Sequence, residues 1–271
     1  PSETVWGSFY SLADENQKNI KKILEEVSVQ KNTTGSLAQK VGDLYLSGMD
    51  TLQIEKLGYS PIKPLLDKIE AVTNYKDLLK LVIDQQKEGN SFLIAVGVGP
   101  DDKISDKNAV GFYQAGLGLP NRDYYFNKDA ATQKIRQEYV RYMTRLFRLI
   151  GSDPIAADKQ AEDIMKLETS IASSHLTPVE LRDPIKNYNK FTVEAFQKQI
   201  PNVDLRYLLA RLDLKTDTVL VGQPQYYREL NNLLISQPIA IWKAKIKFEA
   251  LSDAASYLSK DFDNARFEFY G

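Results

Sequence analysis

The sequence predicts a mainly α fold, a multi-helix lobe with one small β-hairpin around residues 92–115. Apolar residues recur at helical spacing along most of the chain, and capping residues, prolines and glycines mark where helices start and stop. The hairpin region differs, since β-branched and aromatic residues cluster there on both sides of a turn. No repeat and no flexible linker divides the sequence. We therefore expect residues 1–271 to form a single helical lobe.

The first helix is indicated by an amphipathic stripe, and Ser11 and Asp14 resemble a capping box at its start. The apolar positions of the stripe are Leu12, Ile20, Ile23, Leu24 and Val27. A second stripe begins at Val41 and leads to Gly58, after which the segment PIKPLLDKI (61–69) restarts a helix behind its prolines. The first part of the chain is therefore expected to be helix following helix.

The hairpin is predicted from two β-rich runs, FLIAVGVG (92–99) and NAVGFYQAG (108–116). Proline, two aspartates and a lysine at 100–103 separate them, and these residues favour a turn. The glycine motifs GVG (97–99) and GLG (116–118) lack the spacing and the following helix of a nucleotide-binding loop. We interpret these glycines as residues that permit a β-bulge and tight turns around the hairpin.

The rest of the chain is predicted to be helical, with one possible strand. A long apolar-periodic segment ends at Gly151, where glycine can adopt positive φ, and Ser152, Asp153 and Pro154 favour the start of the next helix. Thr177, with the proline and the acid that follow it, caps a further short helix. The possible strand is 219–221, and a long helix is predicted through 241–255.

Composition limits the classes of partner. Hydrophobic residues make up 43% and charged residues 26% of the chain, as in ordinary globular proteins, and the net charge is -1. A near-neutral chain has no bulk field to recruit nucleic acid or an anionic membrane, and no apolar run approaches the length of a membrane span. We therefore expect no nucleic-acid partner and no membrane span. The sequence opens at Pro1 without an initiator methionine, which indicates processing or trimming.

The residue types exclude a zinc site of ordinary composition. Zinc in enzymes is held by histidine, cysteine and carboxylates, and this chain has no cysteine and a single histidine, His175. An HExxH helix is therefore impossible here, and a catalytic triad is not indicated, since there is no cysteine and the single histidine has no GxSxG elbow to accompany it. We predict no catalytic and no metal-binding residue in the chain. His175 lies near the end of a predicted helix, where an imidazolium interacts favourably with the carbonyl end of the helix dipole, in a capping or surface position.

Paired acids and paired tyrosines have a structural and a functional interpretation. Acid pairs can act as acid and base, but they are common at turns and helix starts, which we favour here. Tyrosine pairs usually place one ring in the core and one at its rim, and the alternative is a platform on which sugars stack. The pairs concerned are Asp101 with Asp102, Asp261 with Asp263, Tyr124 with Tyr125, and Tyr226 with Tyr227.

Six segments, taken in order, resemble a known family. They are WGSF (6–9), DLYLSGMDTLQIEKLGYSPIKPLLDKI (43–69), VGVGPDDKISDKNAVGFYQAGLGLPNRDYY (96–125), LETSIA (167–172), RDPIKNYNKFT (182–192) and FEFYG (267–271). Their succession is similar to the N-terminal half of the neprilysin and endothelin-converting-enzyme family of zinc endopeptidases. The DDK turn closed by GLGLP-x-RDYY carries most of the resemblance, which covers nearly the whole chain.

The resemblance implies a role in a larger enzyme. Members of this family have two mainly helical lobes around a cavity, and the catalytic lobe carries HExxH and a further glutamate ligand downstream of the segment seen here. This chain then corresponds to the lid lobe, which walls the cavity so that peptides enter and folded proteins are excluded. Its expected partners are peptide substrates and the catalytic lobe. Zinc is expected in the parent enzyme, with none bound by this chain, which alone is expected to be inactive.

Two departures from the family pattern affect the expected site and location. Some relatives carry an arginine and an acid around the WGSF-like segment that contact substrate, whereas Val5 and Tyr10 stand at these positions here. Tyr10 is left as the candidate substrate-binding residue. Gly48 stands where animal members often have a disulfide cysteine, which favours a bacterial protein of the periplasm, the cell envelope or the secreted fraction. Asn121 and its two neighbours, Arg122 and Asp123, are expected to pack the lobe.

Two other interpretations stay open at the level of sequence. The chain could be a stand-alone helical binding protein that takes peptide or glycan in tyrosine-rich clefts. Alternatively, a cut could leave this half associated non-covalently with its catalytic partner, in which case its exposed face should be apolar and extensive.

Overall fold

The computed structural model describes residues 7–271, which form a mainly helical structure with one small sheet, as the sequence predicts. The helices are α1 (Ser8–Val29), α2 (Leu37–Met49), α3 (Thr51–Leu57), α4 (Lys63–Glu70), α5 (Tyr75–Gln86), α6 (Asp123–Phe126), α7 (Ala130–Leu149), α8 (Pro154–Ser173), α9 (Val193–Gln199), α10 (Leu205–Arg211), α11 (Pro224–Ser236), α12 (Ile239–Ala254) and α13 (Lys260–Tyr270). The strands are β1 (Ala95–Asp101), β2 (Ile104–Tyr113), β3 (Lys190–Thr192) and β4 (Thr218–Val221).

The described chain divides into two compact units. The first contains residues 7–58 with 257–259, and the second contains 59–256 with 260–271. Helices α1 to α3 belong to the first unit, while the sheet and the other helices belong to the second. The single lobe expected from the sequence stays a prediction.

In the first unit, local capping residues decide where the helices begin. Ser36 accepts a hydrogen bond from the Gln39 amide at the start of α2, and Asp50 accepts one from the Gln53 amide at the start of α3. The predicted cap of α1 is wrong in position. That helix already begins at Ser8, so Ser11 lies within its first turn and donates its hydroxyl back to the Gly7 carbonyl.

The contact between α1 and α2 depends on a glycine. A Cβ placed on Gly42 would lie 2.8 Å from the Val27 carbonyl oxygen of α1, whereas a Cβ on Gly48 meets nothing within 4 Å. We expect Gly42→Ala to force the helices apart and to destabilise this unit by about 1–3 kcal/mol. Gly48→Ala, on the same helix, is expected to stabilise it by about 0.5–1 kcal/mol. Amide hydrogen exchange of α1 and α2 measures both, and equal effects of the two substitutions would contradict the packing argument.

In the second unit, the predicted hairpin is the edge of a four-stranded sheet with the order β1-β2-β4-β3. The two hairpin strands pair antiparallel, with Val98 opposite Val110, and their register shifts at Pro100 and Asp101. Strand β4 then pairs parallel with β2, and β3 pairs antiparallel with β4. The predicted bulge therefore lies next to the turn, beyond the GVG motif.

Helix boundaries in this unit follow the predicted signals closely. Gly151 has φ of 87° just after α7, and the Asp153 side chain caps α8, whose first residue is Pro154. Thr177 and Glu180 form a reciprocal capping box, in which each side chain accepts a hydrogen bond from the other residue's amide. The helix that follows is a single 3₁₀ turn, Glu180–Arg182.

The core of the second unit is apolar and aromatic. Phe112 of β2 packs edge-on against Phe196 of α9 and Tyr227 of α11, while Phe248 of α12 packs edge-on against Tyr139 of α7. Helices α7, α8 and α12 pack against one another. One group of charged residues lies within this otherwise apolar packing.

Candidate functional site

Tyr10, the predicted substrate-binding residue, lies on α1, and its side chain is 55% exposed. Val5 and Trp6, which belong to the same predicted segment, lie outside the described residues. An exposed tyrosine on a helix is free to contact another molecule. Its substrate-binding role stays a prediction.

The most unusual polar feature of the second unit is a buried ion pair between α8 and α12. Lys245 and Glu168 are both fully buried, and the Lys245 ammonium lies 2.8 Å from Glu168 Oε1. The same ammonium lies 2.8 Å from Glu249 Oε1, one helical turn further along α12. Burial disfavours the ammonium, but the two carboxylates outweigh this penalty and raise the pKa of Lys245. We call these three residues, with Tyr125 and Tyr139, the Glu168 cluster.

Glu168 also holds the glycine-rich segment that precedes α6. The Tyr125 hydroxyl donates to Glu168 Oε2 at 2.6 Å, and the Gly118 amide donates to the same oxygen at 3.3 Å. The Tyr139 hydroxyl of α7 donates to Oε1 at 3.1 Å. Two motifs that the sequence analysis quoted separately, GLGLP-x-RDYY and LETSIA, therefore meet at one carboxylate. Sequence reasoning missed this pairing and missed Lys245, whose position on a helix carried no signal of burial.

Glu249 is the member of the cluster whose charge is least satisfied. Its Oε2 is buried and has no hydrogen-bond partner, while Oε1 receives the Lys245 ammonium. Burial raises the pKa of Glu249 to about 7, although Lys245 acts in the opposite direction. Near neutral pH this carboxyl is therefore partly protonated, which lowers the net negative charge of the cluster.

This shift gives a pH dependence with a definite sign. Because the folded pKa of Glu249, about 7, exceeds the ordinary 4.5, folding takes up a proton in that interval and stability falls as pH rises through it. We expect Glu249→Gln to remove this slope and to raise the unfolding free energy at pH 8 by about 1–3 kcal/mol. Urea unfolding between pH 4.5 and 8 measures the unfolding free energy of each variant. The control is Glu162→Gln, at an exposed position of α8. Parallel pH profiles of Glu249→Gln and the parent would contradict the assignment.

His175 is a neutral core residue. Its Nε2 lies 3.0 Å from the Ala115 carbonyl oxygen, and its ring packs edge-on against Tyr226. Burial lowers the pKa of His175 to about 4, so at neutral pH the ring is uncharged and Nε2 carries the donated hydrogen. The expectation of a charged cap or surface residue is wrong, because the chain beyond α8 turns the His175 side chain into the core.

The paired residues take the structural positions expected of them, with one exception. Asp101 is 2% exposed and accepts hydrogen bonds from the Lys103 amide, the Tyr188 hydroxyl and the Lys190 ammonium, which hold its pKa at about 2. Asp261 and Asp263 lie in the first turn of α13, and Tyr125 is buried beside a half-buried Tyr124. The exception is Tyr226 with Tyr227, since both rings are buried. The alternative interpretation, a platform on which sugars stack, is therefore wrong for this pair.

The residues predicted to pack the lobe form a local turn. The Asn121 side chain accepts a hydrogen bond from the Asp123 amide, and the Arg122 guanidinium lies 5.3 Å from the centre of the Phe126 ring. The buried Arg122 Nε has no hydrogen-bond partner. These residues set the approach of the chain to α6.

The described residues do not fit a zinc ion. Within 7–271 no group of three or more histidine, cysteine, aspartate or glutamate side chains is arranged to hold a metal. The single histidine, His175, is buried in the core, and its Nε2 is engaged with a backbone carbonyl. No helix in the same range is both long and apolar enough to cross a membrane. The Glu168 cluster is held instead by ion pairs and hydrogen bonds among its own members.

Comparison with known proteins places this module in a family. The family model for the N-terminal region of Peptidase family M13 matches residues 1–271. The chain belongs to Peptidase family M13, as the resemblance in its sequence implies. Endothelin-converting enzyme 1 of Rattus norvegicus is 27% identical over 279 residues, and the human enzyme is 27% identical over 281 residues. Each alignment covers 97% of this chain but only 36% and 35% of the relatives, so the chain spans little more than a third of their length.

Solved structures agree with this assignment. The Mycobacterium tuberculosis zinc metalloprotease ZMP1, in complex with an inhibitor, is 28% identical with a TM-score of 0.90, and the match covers 98% of this chain and 41% of that one. PepO from Lactobacillus rhamnosis shares the fold with a TM-score of 0.83 at 18% identity, over 99% of this chain and 42% of that one. ZMP1 is a zinc metalloprotease, and this chain matches less than half of each of these proteins.

Proposed function

We propose that this chain is the N-terminal part of a zinc-dependent endopeptidase, in which it walls the substrate cavity and so restricts substrates to peptides. The zinc and the groups that act on the peptide bond belong, in this proposal, to a separate catalytic lobe of the same protein. The observation that carries it is the family match over the whole chain, combined with coverage of only 36% of a peptidase relative. The chain alone is then inactive.

Support for a missing partner comes from the first unit. Helix α1 has 22 residues and none of them is buried. Its apolar residues include Phe9, which is 85% exposed, and Ile20 and Ile23, which are 57% and 56% exposed. An amphipathic helix whose apolar residues stay in water normally has a further surface to cover it. We propose that the catalytic lobe covers this face of α1.

The first test compares this chain with a chain extended to the length of the relatives. Zinc content and cleavage of a fluorogenic peptide library are measured for both. We expect about one zinc per molecule and chelator-sensitive cleavage in the longer chain only. Cleavage by the 271-residue chain alone, or no cleavage by either, would contradict the proposal, and the second result would favour a stand-alone binding protein.

A second test addresses the α1 surface in the longer chain. Ile23→Asp places a charge on the apolar face, and the matched control Ser11→Asp adds the same charge on α1 away from that face. We expect Ile23→Asp to lower thermal stability and peptidase activity well below the control. Equal behaviour of the two variants would show that the catalytic lobe does not cover this face.

We further propose a bacterial periplasmic, envelope or secreted location. The support is the 28% identity to a mycobacterial zinc metalloprotease over nearly the whole chain. Fractionation of cells that produce the natural protein tests this, and recovery in the cytoplasmic fraction would overturn it.

A further inference from the structure

A groove on the second unit lies between α5 on one side and α9, the start of α10 and their connection on the other. Its volume is about 820 Å³. Leu79 and Ile83 of α5 form its floor, and both are already 4% exposed or less. Tyr75 and Tyr207 form part of its walls. The exposed lining is more apolar than polar, so a ligand can use apolar contacts as well as charge here.

The charge of the groove is positive and unbalanced. Lys76 and Lys80 of α5 are exposed, one helical turn apart and therefore on the same face, and Lys198 of α9 is exposed on the opposite side. Among the described residues none of these three ammonium groups has an ion-pair or hydrogen-bond partner. The one carboxylate that lines the groove, Asp204, is occupied in capping α10.

Asp84, one turn beyond Lys80 on α5, is attracted to the Lys80 ammonium, but its hydrogen bonds go to other groups. Asp84 accepts hydrogen bonds from the Tyr207 hydroxyl and the Arg211 guanidinium. The Gln197 side chain bonds three backbone groups of residues 200–205. The groove therefore presents three lysines on two walls, none of which forms a hydrogen bond or ion pair with these groups.

We propose that this groove binds an acidic segment of a polypeptide, whose carboxylates span the two walls. An alkyl chain alone would leave the three ammonium groups without a counter-charge. Three lysines also fall short of the six to ten phosphate contacts typical of nucleic-acid sites. A short run of glutamates or aspartates has the charge and the length that the two walls require. The inference stands on this groove alone and is independent of zinc or peptidase activity.

The test measures binding to the 271-residue chain itself. The probe is a fluorescein-labelled peptide that consists of glutamates around one phenylalanine. A peptide with glutamines in place of the glutamates is the uncharged probe. Fluorescence anisotropy measures the binding of each peptide. The groove variant combines Lys76→Gln, Lys80→Gln and Lys198→Gln. The control variant changes the same number of charges at exposed lysines that do not line the groove, namely Lys107→Gln, Lys128→Gln and Lys134→Gln.

We expect the groove variant to bind the acidic peptide about tenfold more weakly than the parent, since three exposed ion pairs together contribute roughly this much. The control variant should change binding by less than about twofold. Equal losses in both variants, or no loss in the groove variant, would overturn the proposal. The proposal would also be overturned if tripolyphosphate or oleate bound the groove more tightly than the acidic peptide and displaced it. The occupant would then be a polyphosphate or a fatty acid. Unchanged circular dichroism and melting temperature confirm that both variants are folded.

Discussion

Breaking the pair of Lys245 and Glu168 is expected to destabilise the second unit. Loss of Lys245 should cost about 3–5 kcal/mol, because two carboxylates are left buried without a cation, and loss of Glu168 should cost less, because Glu249 still pairs with Lys245. Both side chains are fully buried and 2.8 Å apart. Lys245→Met leaves two carboxylates facing each other without a cation. Glu168→Gln leaves the ammonium with Glu249 alone and weakens the acceptor of two tyrosine hydroxyls.

A double-mutant cycle separates this pair from general damage. We expect the double variant Glu168→Gln with Lys245→Met to lose clearly less than the sum of the single variants, because neither buried charge of the pair then remains. The matched control is the exposed pair of Arg141 and Glu138 on α7, where Arg141→Met and Glu138→Gln should each cost less than about 1 kcal/mol. Urea unfolding at pH 7 provides all the free energies. Additive losses at the buried pair would contradict the coupling.

The second large effect is expected at Gly118, where no side chain fits. A Cβ on this residue would lie 1.8 Å from the Tyr139 hydroxyl oxygen, and Tyr139 is fully buried. Gly118→Ala must therefore displace the Tyr139 ring and break its hydrogen bond to Glu168. Overpacking and the lost bond together are expected to destabilise the second unit by about 2–4 kcal/mol.

Two variants distinguish this clash from a loss of backbone freedom. Gly97→Ala, in β1, is the control, since a Cβ there meets nothing within 4 Å and little loss of stability is expected. Tyr139→Phe removes the atom that clashes most closely, so Gly118→Ala should be less damaging in that background. Thermal unfolding followed by circular dichroism measures each step. An equal cost of Gly118→Ala with and without the hydroxyl would exclude the proposed clash.

Local signals predicted the elements of the fold well. Asp153, Pro154 and Gly151 set the boundary between α7 and α8 as expected, because caps, prolines and glycines act through backbone geometry within a few residues. The hairpin was also predictable from its two β-rich runs. Strand β3, with only three residues, was not, because its pairing with β4 depends on contacts about 30 residues away in sequence.

The candidate site was less accessible to sequence reasoning. Burial of a lysine and a glutamate is costly, so both are expected at the surface unless a partner is known, and the partners here are 77 residues apart. His175 illustrates the same limit. Its position after a helix suggested a charged cap, but the turn of the chain into the core made it neutral.

The sequence by itself determined the family, the helical class and the lack of an HExxH motif, because these depend on residue types and their local spacing. Only the tertiary structure decided which residues share a space. It brought GLGLP-x-RDYY and LETSIA together on Glu168 and buried Lys245 between two carboxylates. Among residues 7–271 it also left the three lysines that line the groove beside α5 without an ion-pair partner. The physical reason is that burial and ion pairing depend on distances between elements far apart in the chain, which no local pattern specifies.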